Sequence, residues 1–252
     1  LVTGAGSGIG RALALSLAGS GCLVALAGRR AASLDDVGAE IIAAGGEAVA
    51  LHGFDVTDAD AVRVGVSAAQ ARFGDIAVLV NCAGEAPSAP FEATGPALWN
   101  RVIAVNLTGM YLVTQAVLPS LRRVEAGRIV NIASTAGLRG YAYVTAYCAA
   151  KHGVIGLTRA LALELARSRI TVNAVCPGFT DTPLLDAAVE TITAKTGRSP
   201  REARAALASA NPQGRLVTAQ EVADAVVWLI SPGAGAVTGQ AIAVAGGEVM
   251  TG

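Results

Sequence analysis

A formal net charge of zero, from 19 basic and 19 acidic residues in a chain of 252, gives no electrostatic footprint for nucleic acid, and no basic tail or acidic block appears. Hydrophobic residues make up 53% and mean hydropathy is +0.53. Yet the longest uncharged stretch, Ala12 to Gly28, is interrupted by Gly19-Ser20-Gly21 and falls short of the ~20 apolar residues of a spanning helix. Length suits one α/β domain, residues 1–252, and no membrane partner is expected.

In chain order, Leu1-Val2 leads into a glycine loop, and Arg11 to Ala18 reads as a helix. Cys22 to Ala27 is a strand; Ser33 to Ala44 is a helix that Gly45-Gly46 should cap. Ala48 to Phe54 is a third strand, and Asp58 to Phe73 a helix capped by Thr57 or Asp58. Ile76 to Val80 is the fourth strand, Pro96 to Arg123 a long helix, and Gly127 to Ile132 the fifth strand. Ala146 to Ala166 is helix, Ile170 to Val175 strand, Ala219 to Ile230 helix and Gln240 to Val244 a seventh strand. These strands are apolar throughout, as in a parallel sheet buried on both faces. Their alternation with helices implies a doubly wound, mostly parallel seven-stranded sheet of Rossmann type. Residues 178–215 interrupt the rhythm with two polar, Ala-rich helical patterns, and are expected to form a small helical substrate lid.

Four cysteines at 22, 82, 148 and 176 show no C-x-x-C pair and no metal spacing. They read as reduced, mostly buried thiols of a cytoplasmic protein, with no metal site.

The opening LVTGAGSGIGR does not fit G-x-G-x-x-G, because Ile9 and Arg11 stand where a third glycine should fall. What fits is Gly4-x-x-x-Gly8-x-Gly10. At the first strand-to-helix turn this is either a pyrophosphate cradle, with Ser7 and Ile9 lending backbone at a helix N-terminus, or only a tight turn. Downstream, Tyr147 and Lys151 are four apart on a helix and share a face, in a chain with only two lysines and four tyrosines. A free phenol, with a pKa of about 10, is a poor base at pH 7, and a nearby ammonium lowers that value.

Together, Thr3-Gly4-Ala5-Gly6-Ser7-Gly8-Ile9-Gly10, Asn81-Cys82-Ala83-Gly84, Asn106, Ser134, Tyr147-x-x-x-Lys151 and Pro177-Gly178 with Thr182 resemble the short-chain dehydrogenase/reductase family, in order and spacing over essentially the whole chain. The resemblance implies an NAD(P)-dependent oxidoreductase. Tyr147 would exchange a proton with the substrate oxygen, Ser134 would hold that oxygen, and Lys151 would tune Tyr147 and hold the nicotinamide ribose. Asn106 would hold a relay water. Cofactor contacts would come from Gly4, Ser7, Gly8, Ile9, Gly10, Asp55, Val56, Ala83, Gly84, Pro177, Gly178 and Thr182. Asp55 reads equally as a helix cap, and Asn81 as either a cofactor contact or a tie between strands. The second strand ends at Gly28-Arg29-Arg30, where NAD-preferring members carry an acid. Arg29 can pair with a 2′-phosphate, so NADP(H) is preferred, with NAD(H) possible. Leu138, Tyr141, Val144, Phe179, Leu184 and Leu185 should line an apolar pocket. Features of the C-terminal part resemble reducers of 3-oxoacyl thioesters or similar ketones. The alternatives are an NAD-dependent secondary-alcohol dehydrogenase and, in another class, a non-catalytic nucleotide sensor. Family members commonly form homotetramers, which is expected here.

Overall fold

Seven strands line up in the order β3-β2-β1-β4-β5-β6-β7, and every pairing is parallel. They are β1 (Val2–Thr3), β2 (Val24–Ala27), β3 (Ala48–Leu51), β4 (Val78–Asn81), β5 (Gly127–Ile132), β6 (Ile170–Pro177) and β7 (Ala241–Val244). The helices are α1 (Gly8–Gly19), α2 (Ala31–Ala43), α3 (Ala59–Phe73), α4 (Pro96–Ile103), α5 (Gly109–Leu121), α6 (Thr145–Glu164), α7 (Pro183–Thr196), α8 (Pro200–Ala208) and α9 (Ala219–Ile230). This is a computed structural model, and it describes residues 1–250.

The strands are apolar throughout because successive side chains point to opposite faces and both faces are covered. Val2, Val24, Leu26, Val80 and Val130 pack against α1, α2 and α9. Their strand neighbours Ala25, Ala27, Leu79 and Ile129 pack against α3, α5 and α6. Within this core Asn81 Nδ2 donates to Asn131 Oδ1 (2.9 Å) and Thr114 Oγ1 (3.0 Å), across the Asn81–Asn131 register of β4 and β5.

Local chemistry sets the element ends. Asp58 accepts from the N–H groups of Asp60 and Ala61 and caps α3. Gly45, at φ 85°, turns the chain out of α2, and the N–H groups of Gly45 and Gly46 return to the carbonyls of Ile42 and Ile41. The helical run from Pro96 to Leu121 is interrupted by a π-helical stretch, Ala104–Thr108. This 26-residue run is the one helix among the described residues long and apolar enough to cross a membrane, and it carries Val113, Val117 and Leu121 into the core.

After β6 the chain forms α7 and α8 around a small apolar cluster of its own, with Leu185, Val189 and Ala203 buried and Phe179, Ile192, Leu207 and Leu216 packed against them. Arg204 of α8 bridges Asp181 (2.7 Å) and Asp186 (2.5 Å), holding α8 to the start of α7. The four cysteines are unpaired; Cys176 is fully buried and the others partly so.

Candidate active site

The topology breaks its sequential order once, between β1 and β4, which is where an open α/β sheet leaves a crevice at its carboxyl edge. A cleft of about 880 Å³ lies there. One end is walled by the glycine loop. Gly8 has φ +53°, and a Cβ on Gly10 would sit 2.1 Å from the Gly4 carbonyl oxygen, so glycine lets α1 seat directly on the loop. Ser7 precedes α1 without a side-chain cap bond, and no acidic residue occupies the helix's first turn. Free N–H groups at a helix start, with no competing carboxylate, suit a pyrophosphate. Thr3 ties this turn to β4, its Oγ1 accepting from Cys82 N (2.9 Å) and Ala83 N (3.0 Å).

Gly4, Ser7, Gly8, Ile9, Arg29, Asp55, Val56, Ala83, Gly84, Pro177, Gly178 and Thr182 all line the cleft. Two expected contacts do not. Gly10 lies behind the loop, buried in α1, and acts through packing. Asn81 lies behind the lining, its Nδ2 donating to Asn131 and Thr114 as a tie between β4 and its neighbours. Asp55 faces the cleft and accepts from the backbone and hydroxyl of Thr57 (2.9 and 2.8 Å), which hold its carboxyl below the usual range; Asp58 caps the helix instead.

Arg30 was not singled out by the sequence. It lines the cleft beside Arg29, and its guanidinium donates to Ser7 Oγ (3.2 Å). Ser33 lines the cleft too, with its Oγ 2.5 Å from where a Cβ on Gly6 would stand. No acid follows β2, so this end of the cleft is cationic and fits a nucleotide bearing a 2′-phosphate.

Asn106, Ser134, Tyr147 and Lys151 meet midway along the cleft. Ser134 follows β5 and accepts from Ala136 N (3.1 Å). Tyr147 and Lys151 face inward one turn apart on α6, with Lys151 Nζ 5.5 Å from the Tyr147 ring centre. The expected lowering of the Tyr147 pKa is not found. Burial pushes the phenol up to about 12, opposed by hydrogen bonding with Ser134. Lys151 is itself brought down to about 8 by burial, and its ammonium donates to the Ile132 carbonyl (2.8 Å). Asn106, in the π-helical stretch, spends both amide hydrogens on the carbonyls of Glu85 (2.9 Å) and Val102 (3.0 Å), and its Oδ1 accepts from Glu85 N (3.3 Å). Its side chain pins the loop after β4.

The other end is apolar. Tyr141, Val144, Phe179, Leu184 and Leu185 line it as expected. Leu138 does not; it packs beneath, against Met110 and Val154. Tyr141 donates to Glu248, shares a 2.8 Å hydrogen bond with Thr135 and meets Phe179 edge-on at 5.9 Å. Burial, then the Glu248 carboxylate, pushes the Tyr141 phenol up to about 12. Arg139 stacks on the outer face of Tyr141, 5.0 Å from its ring centre. Among the described residues no cluster could hold a metal.

Known proteins resemble this chain over nearly its full length. The family model for short chain dehydrogenase matches residues 1–193. A putative ketoacyl reductase of Streptomyces coelicolor is 43% identical over 249 residues, 98% of this chain and 95% of that one. The D-beta-hydroxybutyrate dehydrogenase of Cupriavidus necator is 39% identical over 251 residues, 99% of this chain and 96% of its own. Among solved structures, a variant of actinorhodin polyketide ketoreductase with NADPH superimposes at a TM-score of 0.94 with 42% identity, covering 98% of this chain and 95% of that one. The glycine loop, the Ser-Tyr-Lys grouping and likeness over nearly the full length agree: this chain belongs to the short-chain dehydrogenase family.

Proposed function

We propose that this oxidoreductase reduces a ketone, a 3-oxoacyl thioester or similar carbonyl, to a secondary alcohol with NADPH. The observation that carries the reading is Tyr147. It is a half-buried phenol beside Ser134, its pKa held above the ordinary value, between a cationic end and an apolar end of one cleft. A group that holds its proton at pH 7 and sits where a carbonyl oxygen acquires negative charge is a general acid. NADPH, when bound, supplies the hydride.

Gly4, Ser7, Gly8 and Ile9 would hold the pyrophosphate, Arg29 and Arg30 the 2′-phosphate, and Asp55 and Val56 the adenine. Ala83 and Gly84 would form the wall, and Pro177, Gly178 and Thr182 the nicotinamide rim. Ser134 orients the substrate oxygen, and Tyr147 gives it a proton. Lys151 holds positive charge beside the phenolate that results and so favours its formation. Asn106 is a positioning residue that fixes the loop at Glu85. The α7–α8 unit, within residues 178–215, serves as the lid. Oxidation of an alcohol would run the same proton transfer backwards, with Tyr147 as the base. An NAD(H) preference is disfavoured by the two arginines after β2.

The test is the initial rate on acetoacetyl-CoA with subsaturating NADPH or NADH. A rate far higher with NADPH is expected, and Tyr147→Phe should lower turnover by 10²-fold or more while nucleotide binding persists. A preference for NADH, or a Tyr147→Phe variant that still turns over, overturns the reading. We place the enzyme in the cytoplasm as a homotetramer. Trp99, Tyr111 and Leu163 stay exposed on the α4, α5 and α6 side, which favours pairing of helices, and light scattering checks the mass.

A further inference from the structure

Helix α7 gives the cleft one whole face, not a single residue. Leu184, Ala188, Thr191, Ile192 and Lys195 all line it, and their spacing of four, three, one and three is that of one helical stripe. Leu184 and Lys195 are therefore separated by about 17 Å along the axis. The start of α7 adjoins the glycine loop, since a Cβ on Gly8 would lie 3.3 Å from Thr182. The helix thus carries the wall of the apolar end, which begins at Leu184 and Leu185, out to Lys195. Along this path the wall is apolar, completed by Phe179 and Leu207. It ends in a cation.

Four cations line the cleft: Arg29 and Arg30 at the glycine loop, Lys151 at the reacting centre, and Lys195. Lys195 is exposed and has no ion pair among the described residues, whereas Arg204 nearby is held by two aspartates. The one carboxylate on the other side of the substrate end, Glu85, is paired with Arg101 at 2.7 Å. A lysine in the last turn of a helix is also favourable towards the helix dipole, but that role contributes stability and leaves substrate binding untouched.

We infer that Lys195 is an anion subsite for the distal end of an extended ketone substrate, taking a phosphate or carboxylate about 17 Å along α7 from Leu184. The inference rests on the ketone-reductase reading and names its substrate class: a molecule apolar near the ketone and anionic at its far end. A short 3-oxo acid, with its carboxylate two bonds from the ketone, would find no cation within reach except Lys151.

The two sources of anion are separated by paired substrates at saturating NADPH. Acetoacetyl-CoA is compared with its truncated N-acetylcysteamine thioester, which keeps the ketone and loses the phosphates. A long-chain fatty acid with a penultimate ketone is compared with its methyl ester. Calorimetry of CoA binding is run alongside on each variant. Lys195→Gln should raise KM for one anionic substrate about fivefold with kcat unchanged, leave its neutral partner unaffected, and weaken CoA binding similarly if phosphate is the source. Lys195→Glu should do more, and Lys195→Arg should restore the wild-type value. Unchanged KM for both anionic substrates together with unchanged CoA affinity overturns the subsite, as does an equal change for anionic and neutral partners. If no ketone is reduced while CoA binding still depends on Lys195, the reductase reading falls and the subsite stands.

Discussion

Replacing Gly10 by alanine tests whether the fit of α1 onto the glycine loop is what makes the nucleotide end of the cleft. The added Cβ would lie 2.1 Å from the Gly4 carbonyl oxygen and 2.7 Å from its carbon. Both are backbone atoms, so no rotamer relieves the clash, and loop and helix must part by about 1 Å to reach van der Waals contact. Helix α1 cannot slide away freely, because Leu13, Ala14 and Leu17 are buried against the sheet. Overpacking of this kind costs about 1–3 kcal/mol, a fall of roughly 2–4 °C in Tm per kcal/mol for a chain of this size. Displaced amides should also lose at least one charge-assisted hydrogen bond to the phosphate, about 1.5–3 kcal/mol, or tenfold and more in Kd for NADPH. Gly19→Ala, at the other end of α1, meets nothing within 4 Å and should be neutral or stabilising by about 0.5–1 kcal/mol. Fluorescence titration of NADPH and thermal melts measure both. A Gly10→Ala protein that binds NADPH as tightly as wild type would refute the argument.

Three further perturbations reach other parts of the molecule. Ser120 is fully buried; its Oγ accepts from Ile76 N (2.6 Å) and donates to Asp75 (2.9 Å), so Ser120→Ala strands a buried N–H. Urea titration should show a loss of about 1–3 kcal/mol with KM unchanged, and an unaltered midpoint would contradict this. Lys151, ordinarily near 10.5, titrates at about 8 when folded because of burial. Between those values the unfolded chain binds more protons, so wild-type stability rises with pH over that window, and below pH 8 the folded state bears the full cost of the ammonium. Lys151→Met should be inactive yet more stable at pH 7, with an advantage that shrinks towards pH 10.5; a gap of constant size in urea melts would count against the assignment. Tyr143 lines the cleft at φ 66°, the one positive value outside glycine among the described residues. Tyr143→Gly should gain about 1 kcal/mol and a few degrees in Tm while losing rate on bulky apolar ketones, and an unchanged or lower Tm would show the strain to be illusory.

Much of this molecule is readable from local pattern. Strands such as Gly127 to Ile132 announce themselves because both of their faces are covered, and Tyr147 and Lys151 stand one turn apart by spacing alone. What escaped depends on partners far along the chain. Nothing around Asn81 reveals that Asn131, fifty residues on, claims its amide. Leu138 and Tyr141 look alike in sequence as pocket residues, yet one points beneath and the other is drawn into the cleft by Glu248, 107 residues away. Arg30 gains its place because α2 starts one residue later, swinging its guanidinium onto Ser7. The Tyr147 pKa illustrates a different gap: spacing places an ammonium near a phenol, but burial, a property of the whole packed cleft, raises the phenol against its hydrogen bond with Ser134. The π-helical stretch at Ala104–Thr108 has no composition to mark it; Asn106 within it bonds the loop after β4, upstream in the chain.

The break in strand order that opens the crevice also shapes how the chain must fold. Val2 pairs with Leu26 on one side, across a single helix, and with Val80 on the other, after two more strands and two more helices have been made. Closing the longer loop costs about 1 kcal/mol more in chain entropy than closing the shorter one. Docking of β4 beside β1 is thus a non-local step of the kind that slows parallel sheets. It joins the half of the sheet that follows the glycine loop to the half that carries Ser134, Tyr147 and Lys151. Each half can gather its own helices beforehand, but the groove between them exists only after that late event. The feature that lets a nucleotide lie across the sheet is therefore also its kinetic seam, and a nucleotide bound there would act mainly by slowing the seam's reopening.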